Sequence, residues 1–442
     1  MDKGLKLALS VVMALVAMFW LAPADLLPSQ RIVQGILVLA VSLWVTDAVP
    51  AFAVGVLIIF LSVTTLAFAV GSSQFPLAVL YNSWSSPVIF LLLGGFFLAE
   101  AVTIAGIDKE IVTYTLRTFG SNPRRLLLGL MATSGVLSML MSNTATTALM
   151  MASLTPVTDR LGPKQPYTKA LLVGIATAAA IGGIGTAIGS PPNAIAISAL
   201  EAHGISIHWA KYGLPLAIVL VLIAWLIIVR SHPLPPEVIM DVPNRGPEKP
   251  ADRYKRNVTV VTLILTLALW LTTPLHGFHV AVIAALPIVI FVLTGVIGPI
   301  EVKGISWDTL MLVAGGLTLG EALNRTGLAD YYLQRLDVTN VNPFLVILVF
   351  GYLCVSMSNF MSNTGTAALL VPVGIKLLPG HALEIAVTTG LCASFAVLLP
   401  VSTPPNAIVF STGYLKQSDF RRTGLVVGLL GPLLTLLYLR LI

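Results

Sequence analysis

Charge is scarce in this chain. Asp, Glu, Lys and Arg make up 10% of its 442 residues, against about 25% in soluble domains, which excludes a soluble globule. Cysteine is scarcer still. Cys354 and Cys392 lie in apolar segments far from any Cys-x-x-Cys spacing, so neither a disulfide framework nor a zinc site is supported, and both read as small core residues. The six histidines, at 203, 208, 232, 276, 279 and 381, fall in loops or at segment boundaries with no metal spacing. No basic patch is interleaved with aromatic residues, so the net charge of +6 is not a nucleic-acid footprint. Paired Asp motifs and intramembrane nucleophiles are also missing, which argues against an enzyme acting on lipid.

What is present is apolar length. Hydrophobic residues make up 57% of the chain and the mean hydropathy is +0.93. The 36 glycines and 28 prolines lie mostly inside apolar stretches rather than in disordered tracts. Windows long enough to cross about 30 Å of hydrocarbon fall near 7–23, 32–50, 53–71, 86–105, 170–200, 212–230, 257–273, 278–298, 307–326, 382–412 and 423–441. The sequence thus predicts an all-α integral membrane protein of about eleven spans. Two further apolar stretches, about 126–158 and 343–378, exceed one span and are each interrupted by Ser-Asn-Thr. Each reads as two spans or as one re-entrant hairpin.

Basic residues separate the two readings. With a cytoplasmic N-terminus and both stretches returning to the side they enter, only Arg31, Lys211, Arg325, Arg335, Lys376 and Arg440 of the 25 Lys and Arg face outward. That asymmetry favours two hairpins. The N-terminal run, with Lys3, Lys6 and Ala22-Pro23-Ala24, imitates a cleavable signal peptide but is long for one and is read as a span. The polar stretch from Ser231 to Asn257 holds Pro233, Pro235, Pro236, Pro243, Pro247 and Pro250 and reads as a cytoplasmic linker between two halves.

The halves echo each other at a nearly constant offset. Gly94-Gly95, Glu100 and Gly106 match Gly315-Gly316, Glu321 and Gly327, all in one register. Asn122-Pro123 and Ser142-Asn143-Thr144 match Asn342-Pro343 and Ser362-Asn363-Thr364 in a register shifted by a single position. Ser190-Pro191-Pro192-Asn193 matches Thr403-Pro404-Pro405-Asn406 in a slightly shorter one. The expected organisation is an N-terminal scaffold span over 1–30, a first repeat over 31–230, a linker over 231–256 and a second repeat over 257–442. Span counting makes the repeats inverted, the arrangement from which secondary transporters build a midplane site with alternating exits.

Two consecutive prolines remove two N–H donors and push the preceding residues out of helix, so 170–200 and 382–412 are each expected as two half-helices. With the two Ser-Asn-Thr tips this makes four breaks, whose polar groups are expensive in hydrocarbon unless they line a cavity. Helix N-termini and N–H or O–H donors suit carboxylates, while free carbonyl, Ser and Asn oxygens suit a hard cation such as Na⁺. No Lys, Arg or His lies within these motifs. A bound dianion would therefore need co-bound cations to avoid a charge-burial cost of several kcal/mol, and the binding of each ion would lower the cost of the other. Glu100 and Glu321 read either as proton or ion sites or as structural ion pairs. The Gly-Gly pairs read as close helix packing, and Asp47, near a span end after Trp44, reads as structural.

The doubled Ser-Asn-Thr and Ser/Thr-Pro-Pro-Asn set, with Trp44 to Asp47, Gly182-Gly183-Ile184-Gly185-Thr186 and Gly413 to Ser418, resembles the divalent anion/sodium symporter family, the solute carrier 13-like dicarboxylate transporters. The resemblance implies eleven spans with two re-entrant hairpins, a homodimer of scaffold and transport domains, and elevator-type movement. It implies one sodium site from Ser138, Ser142, Asn143 and the Gly189 carbonyl, and a second from Ser358, Asn363 and the carbonyls of Met361 and Ser402. Carboxylates would be held by Ser142, Asn143, Thr144, Ser190, Pro191, Ser362, Asn363, Thr364, Thr403 and Pro404. Ser358 stands where family members carry Thr, and Met361 where they carry Ala; Met361 would narrow the second site. No basic side chain stands in for the cation, which favours symport. The expectation is a sodium-coupled importer of C4-dicarboxylates such as succinate, malate or fumarate, in the cytoplasmic membrane with the N-terminus inside. Its rivals are sodium-independent dicarboxylate exchange and sodium-coupled transport of citrate or sulfate.

Overall fold

Helix starts in this chain are set by local chemistry. In a computed structural model describing residues 2–66, 78–238, 250–335 and 341–442, the helices Pro28–Thr46 (α2), Pro123–Leu140 (α7), Pro166–Gly182 (α9) and Pro343–Ser358 (α18) all begin on proline. Proline suits a first turn because its missing N–H would have no helical partner there. The Asn-Pro pairs of the two halves are both caps. Asn122 Oδ1 accepts from the backbone N–H groups of Arg124 and Arg125 at 3.1 Å, and Asn342 Oδ1 from that of Phe344 at 3.0 Å. Such a cap is worth about 1 kcal/mol. Gly106 and Gly327 follow Pro87–Ile104 (α5) and Trp307–Thr326 (α16) at φ of +65° and +68°, a conformation that only glycine adopts cheaply.

The described residues are helical, with no strand. The chain forms two contact units, each assembled from both halves. The first holds Met1–Ile89, Ile195–Ile207 and Ser306–Ala393. It comprises Lys3–Phe19 (α1), α2, Ala51–Leu61 (α3) with a π-helical turn over 62–66, Ala78–Trp84 (α4), α16, Leu328–Leu333 (α17), α18, Asn363–Leu377 (α19) and Ala382–Cys392 (α20). Its core joins Val33, Leu43, Trp44, Val54, Ile58, Leu319, Leu323 and Met361. Gly55 and Gly315 let α3 and α16 meet backbone to backbone: a Cβ on Gly315 would lie 2.3 Å from Gly55 Cα. Gly316 leaves room for Ala368 of α19.

The second unit holds Phe90–Ala194, His208–Ile305 and Ser394–Ile442. Its helices are most of α5, Ile107–Phe119 (α6), α7, Asn143–Leu161 (α8), α9, the start of Pro191–Glu201 (α10), Trp209–Ser231 (α11), Pro250–Leu271 (α12), Thr273–His276 (α13), Val280–Leu293 (α14), Pro299–Lys303 (α15), Pro404–Phe410 (α21) and Gln417–Leu441 (α22). The Pro-rich stretch is helical from Pro250 onward. Here Gly94 packs on the Ala284 backbone and Gly95 on Ile188. Both Gly-Gly pairs are thus packing sites.

Among the described residues, six single helices are long and apolar enough to cross a membrane: Pro28–Thr46, Pro87–Ile104, Pro166–Gly185, Trp209–Ser231, Arg253–Leu271 and Gln417–Leu441. A seventh candidate is the pair Asn363–Leu377 and Pro379–Phe395, bent by 115°. Ala51–Leu66, Val280–Leu293 and Pro343–Ser358 are shorter apolar helices. Fewer full-length helices than apolar windows appear: a break divides the 382–412 window, while Lys3–Phe19 and Val280–Leu293 are short. The end of the 53–71 window and the linker residues Pro243, Arg245, Pro247 and Lys249 lie outside the described residues.

Candidate transport site

Both Ser-Asn-Thr motifs fold as the tip of a helical hairpin. In the second unit, α7 ends at Leu140, Met141 is extended, and Ser142 caps α8 by accepting from the Ala145 N–H at 3.2 Å. In the first unit Ser362 caps α19 by accepting from the Gly365 N–H at 3.0 Å. The arms of each hairpin pack on one another. Each tip therefore exposes a helix N-terminus, with its unpaired N–H groups and positive dipole end, beside an amide and two hydroxyls.

Hydroxyls on α7 place the first tip. Ser134 donates to the Ile175 carbonyl at 2.9 Å and Ser138 to the Ala179 carbonyl at 2.6 Å, one helical turn apart on both helices. Gly135 and Gly182 bring those helices close enough that a Cβ on Gly182 would lie 2.4 Å from Gly135 Cα. The Asn143 amide then sits among three oxygens, and its NH₂ donates to Ser138 Oγ at 2.6 Å and to the carbonyls of Gly189 and Ala179 at 3.2 Å. A serine has one proton, and Ala179 takes it. Three oxygens so placed are also a donor set of the kind a small cation takes. Gly183 and Gly189 hold the space open, since a Cβ on Gly183 would lie 2.4 Å from Asn143 Oδ1 and one on Gly189 2.5 Å from the Gly183 carbonyl.

The Pro-Pro breaks lie beside these groups. After α9 the chain makes a 3-10 turn over Gly183–Gly185 and restarts as α10 at Pro191. Ser190 is buried, its hydroxyl 3.2 Å from that of Ser394. In the other half, α20 is followed by a 3-10 turn over Ala393–Phe395, and α21 restarts at Pro404 behind a Thr403 cap. Helix α21 packs on α8 and α9.

In the first unit, the Asn363 Oδ1 is buried without a hydrogen-bond partner among the described residues, and Ser358 is buried beside Cys354. Cys354 takes the place in the second half that Ser134 holds in the first, and it donates its thiol to the Thr389 carbonyl at 3.2 Å. A thiol does there what a hydroxyl does in the first half. Met361 is buried in the core of this unit. The structure thus brings Ser138, Asn143 and Gly189 together in the second unit. That unit also holds Ser142, Thr144, Ser190, Pro191, Ser402, Thr403 and Pro404. Ser358, Met361, Ser362, Asn363 and Thr364 belong to the first. Thr144 and Pro404 are exposed and the remaining site residues are at least half-buried.

Glu321 forms an ion pair with Arg325 at 2.6 Å, one turn along α16, which supports its structural reading. Asp47 ends α2 in the left-handed region at φ +48°. Both cysteines are buried and free, and no cluster of three His, Cys, Asp or Glu occurs among the described residues. Sequence reasoning passed over Asn193 and Asn406 as functional side chains. Their amides bind the broken segments, and the only signal was their place at the end of both Pro-Pro motifs.

An all-helical membrane fold with two capped hairpins and two broken helices defines a multi-span membrane transporter rather than an enzyme. A family profile described as "Citrate transporter" matches residues 36–391 and 267–442, and the chain belongs to that family. The sodium-dependent dicarboxylate transporter SdcS of Staphylococcus saprophyticus is 29% identical over 445 residues, 90% of this chain and 84% of SdcS. An uncharacterized transporter of Schizosaccharomyces pombe is 30% identical over 424 residues, and the chain spans about half, 48%, of its length. The crystal structure of the Alcanivorax borkumensis YdaH transporter superposes with a TM-score of 0.62 at 13% identity, covering 88% of this chain and 98% of that one. These matches bear out the resemblance to the divalent anion/sodium symporters.

Proposed function

We propose that this chain is a sodium-coupled secondary transporter that imports C4-dicarboxylates such as succinate, malate or fumarate across the cytoplasmic membrane. The observation that carries the proposal is the convergence of the Ser138 hydroxyl and the Gly189 and Ala179 carbonyls on the Asn143 amide at the first hairpin tip. Neutral oxygens in this number suit a monovalent cation. In this reading one Na⁺ is held by Ser138, Ser142, Asn143 and the Gly189 carbonyl. The family resemblance assigns a second to Ser358, Asn363 and the carbonyls of Met361 and Ser402. The unpartnered Asn363 oxygen supports the second assignment, because a buried acceptor left alone costs about 1–3 kcal/mol.

Ser142, Asn143 and Thr144 at the first tip, and Ser362, Asn363 and Thr364 at the second, would each offer donors to a carboxylate. Ser190, Pro191, Thr403 and Pro404 would line the breaks. Asn143 and Asn363 touch both cargoes, so each cation offsets the desolvation of a carboxylate beside it, and coupling follows. The inverted repeat supplies the two exits, through re-entrant hairpins, in a homodimer that moves its transport part as an elevator with the N-terminus in the cytoplasm. The dicarboxylate specificity of SdcS supports the substrate class. The family description favours citrate as a second reading.

Uptake of labelled succinate into proteoliposomes, with an inward Na⁺ gradient or with choline, and with no internal substrate, tests the proposal. Sodium-stimulated uptake is expected. Uptake that ignores sodium and requires internal dicarboxylate would establish exchange instead, and stronger competition by citrate than by malate would move the substrate.

A further inference from the structure

Asn193 and Asn406 close the two Pro-Pro motifs, one in each half of the chain, and they do the same thing. The Asn193 Nδ2 donates to the Gly183 carbonyl at 2.9 Å and the Thr186 carbonyl at 2.7 Å. The Asn406 Nδ2 donates to the Val397 carbonyl at 3.2 Å and the Leu399 carbonyl at 2.9 Å. Each amide ties two carbonyls of the segment where the helix breaks, groups whose own helical partners the break has removed. Both side chains are fully buried, and both Oδ1 atoms lack a hydrogen-bond partner among the described residues. A buried acceptor without a partner is costly, so the side chain is kept for its two donors.

What those donors hold leads to the oxygen cluster. Thr186, tied through its carbonyl by Asn193, donates its hydroxyl to the Met139 carbonyl next to Ser138 and accepts from the Gly189 N–H at 3.1 Å. Asn193 thereby fixes the loop whose Gly189 carbonyl faces Asn143. In the other half, the Leu399 carbonyl tied by Asn406 also accepts from the Ser402 hydroxyl at 2.8 Å. Both asparagines direct their donors at the break.

We propose that Asn193 and Asn406 are positioning residues that set the geometry of the cation-binding carbonyls, Asn193 for the site at the first hairpin tip and Asn406 for the site that includes Ser402. The inference rests on the sodium-coupled reading above. It separates two roles within one motif: the Ser or Thr and the first Pro face cargo, and the Asn governs the loop that presents carbonyls.

The test uses purified full-length protein, wild type and the variants N193L, N193D, N406L and N406D. Leu keeps the branched shape and removes both donors. Asp, protonated when buried, keeps one. Thermal unfolding is measured across a NaCl titration against choline chloride, together with succinate uptake across the same titration. The expected result is a rise of tenfold or more in half-saturating sodium for each Leu variant and a smaller rise for each Asp variant. The Hill coefficient for sodium should fall towards one, while succinate KM at saturating sodium moves less than threefold. A folded variant whose sodium titration stays within twofold of wild type, with only the maximal rate reduced, would overturn the inference. If a Leu variant elutes as aggregate, the Asp variant carries the same criterion. A wild type that sodium neither stabilises nor drives would remove the transport reading itself, and that result is seen before any variant is compared.

Discussion

Single atoms decide the chemistry of the first hairpin tip. A methyl group on Gly183 would run into the Asn143 amide and the Gly189 carbonyl, so G183A should raise half-saturating sodium at least tenfold while the helices around it persist. Sodium-dependent thermal stabilisation of the purified variant checks this. N143A should weaken sodium and succinate together, whereas T144A should raise succinate KM with little change in sodium dependence, and uptake titrated in each ligand separates the two. Away from the membrane, the Tyr331 hydroxyl donates to Asp25, and with Arg335 at 2.7 Å holds that carboxyl below its ordinary value. A depressed carboxyl adds stability above its unfolded value of about 3.9 and loses it as the pH falls through the folded value. D25N should therefore lower the melting temperature at neutral pH, with the gap to wild type closing below about pH 4.

At the scale of elements, what was legible in the sequence was what local chemistry sets. Proline pairs marked the breaks after Gly189 and Ser402, Asn-Pro marked the starts of α7 and α18, and Ser-Asn-Thr marked the hairpin tips, because each acts within a turn of itself. Helix α6 escaped notice because Asp108, Lys109, Glu110 and Arg117 make it amphipathic and dilute its hydropathy. The partners of Asn193 and Asn406 were also illegible, since which carbonyls such an amide reaches depends on how the break folds. The same reasoning makes the caps testable. N122A removes the acceptor for two N–H groups at the start of α7 and should cost about 1 kcal/mol, read as a lower melting temperature with unchanged sodium affinity.

Across the whole molecule, the duplication is a register as well as a pattern of motifs. Ser134 and Cys354 hold equivalent carbonyls, Gly106 and Gly327 turn the same corner, and Gly94 and Gly315 each admit a neighbouring backbone. C354S should therefore be tolerated, keeping a donor to the Thr389 carbonyl, whereas C354V removes it and should destabilise by about 1 kcal/mol or more. Thermal melts of both variants decide the point.

Each contact unit draws on early and late stretches of the chain, and the second is finished only by Ser394–Ile442. During synthesis the first hairpin, complete once Leu161 has been added, must wait for Pro404–Phe410 and Gln417–Leu441, which come much later in the chain. The ribosome thus delivers a half-built bundle into lipid, and a polypeptide interrupted in the Pro-rich stretch should accumulate only when its missing remainder is co-expressed beside it.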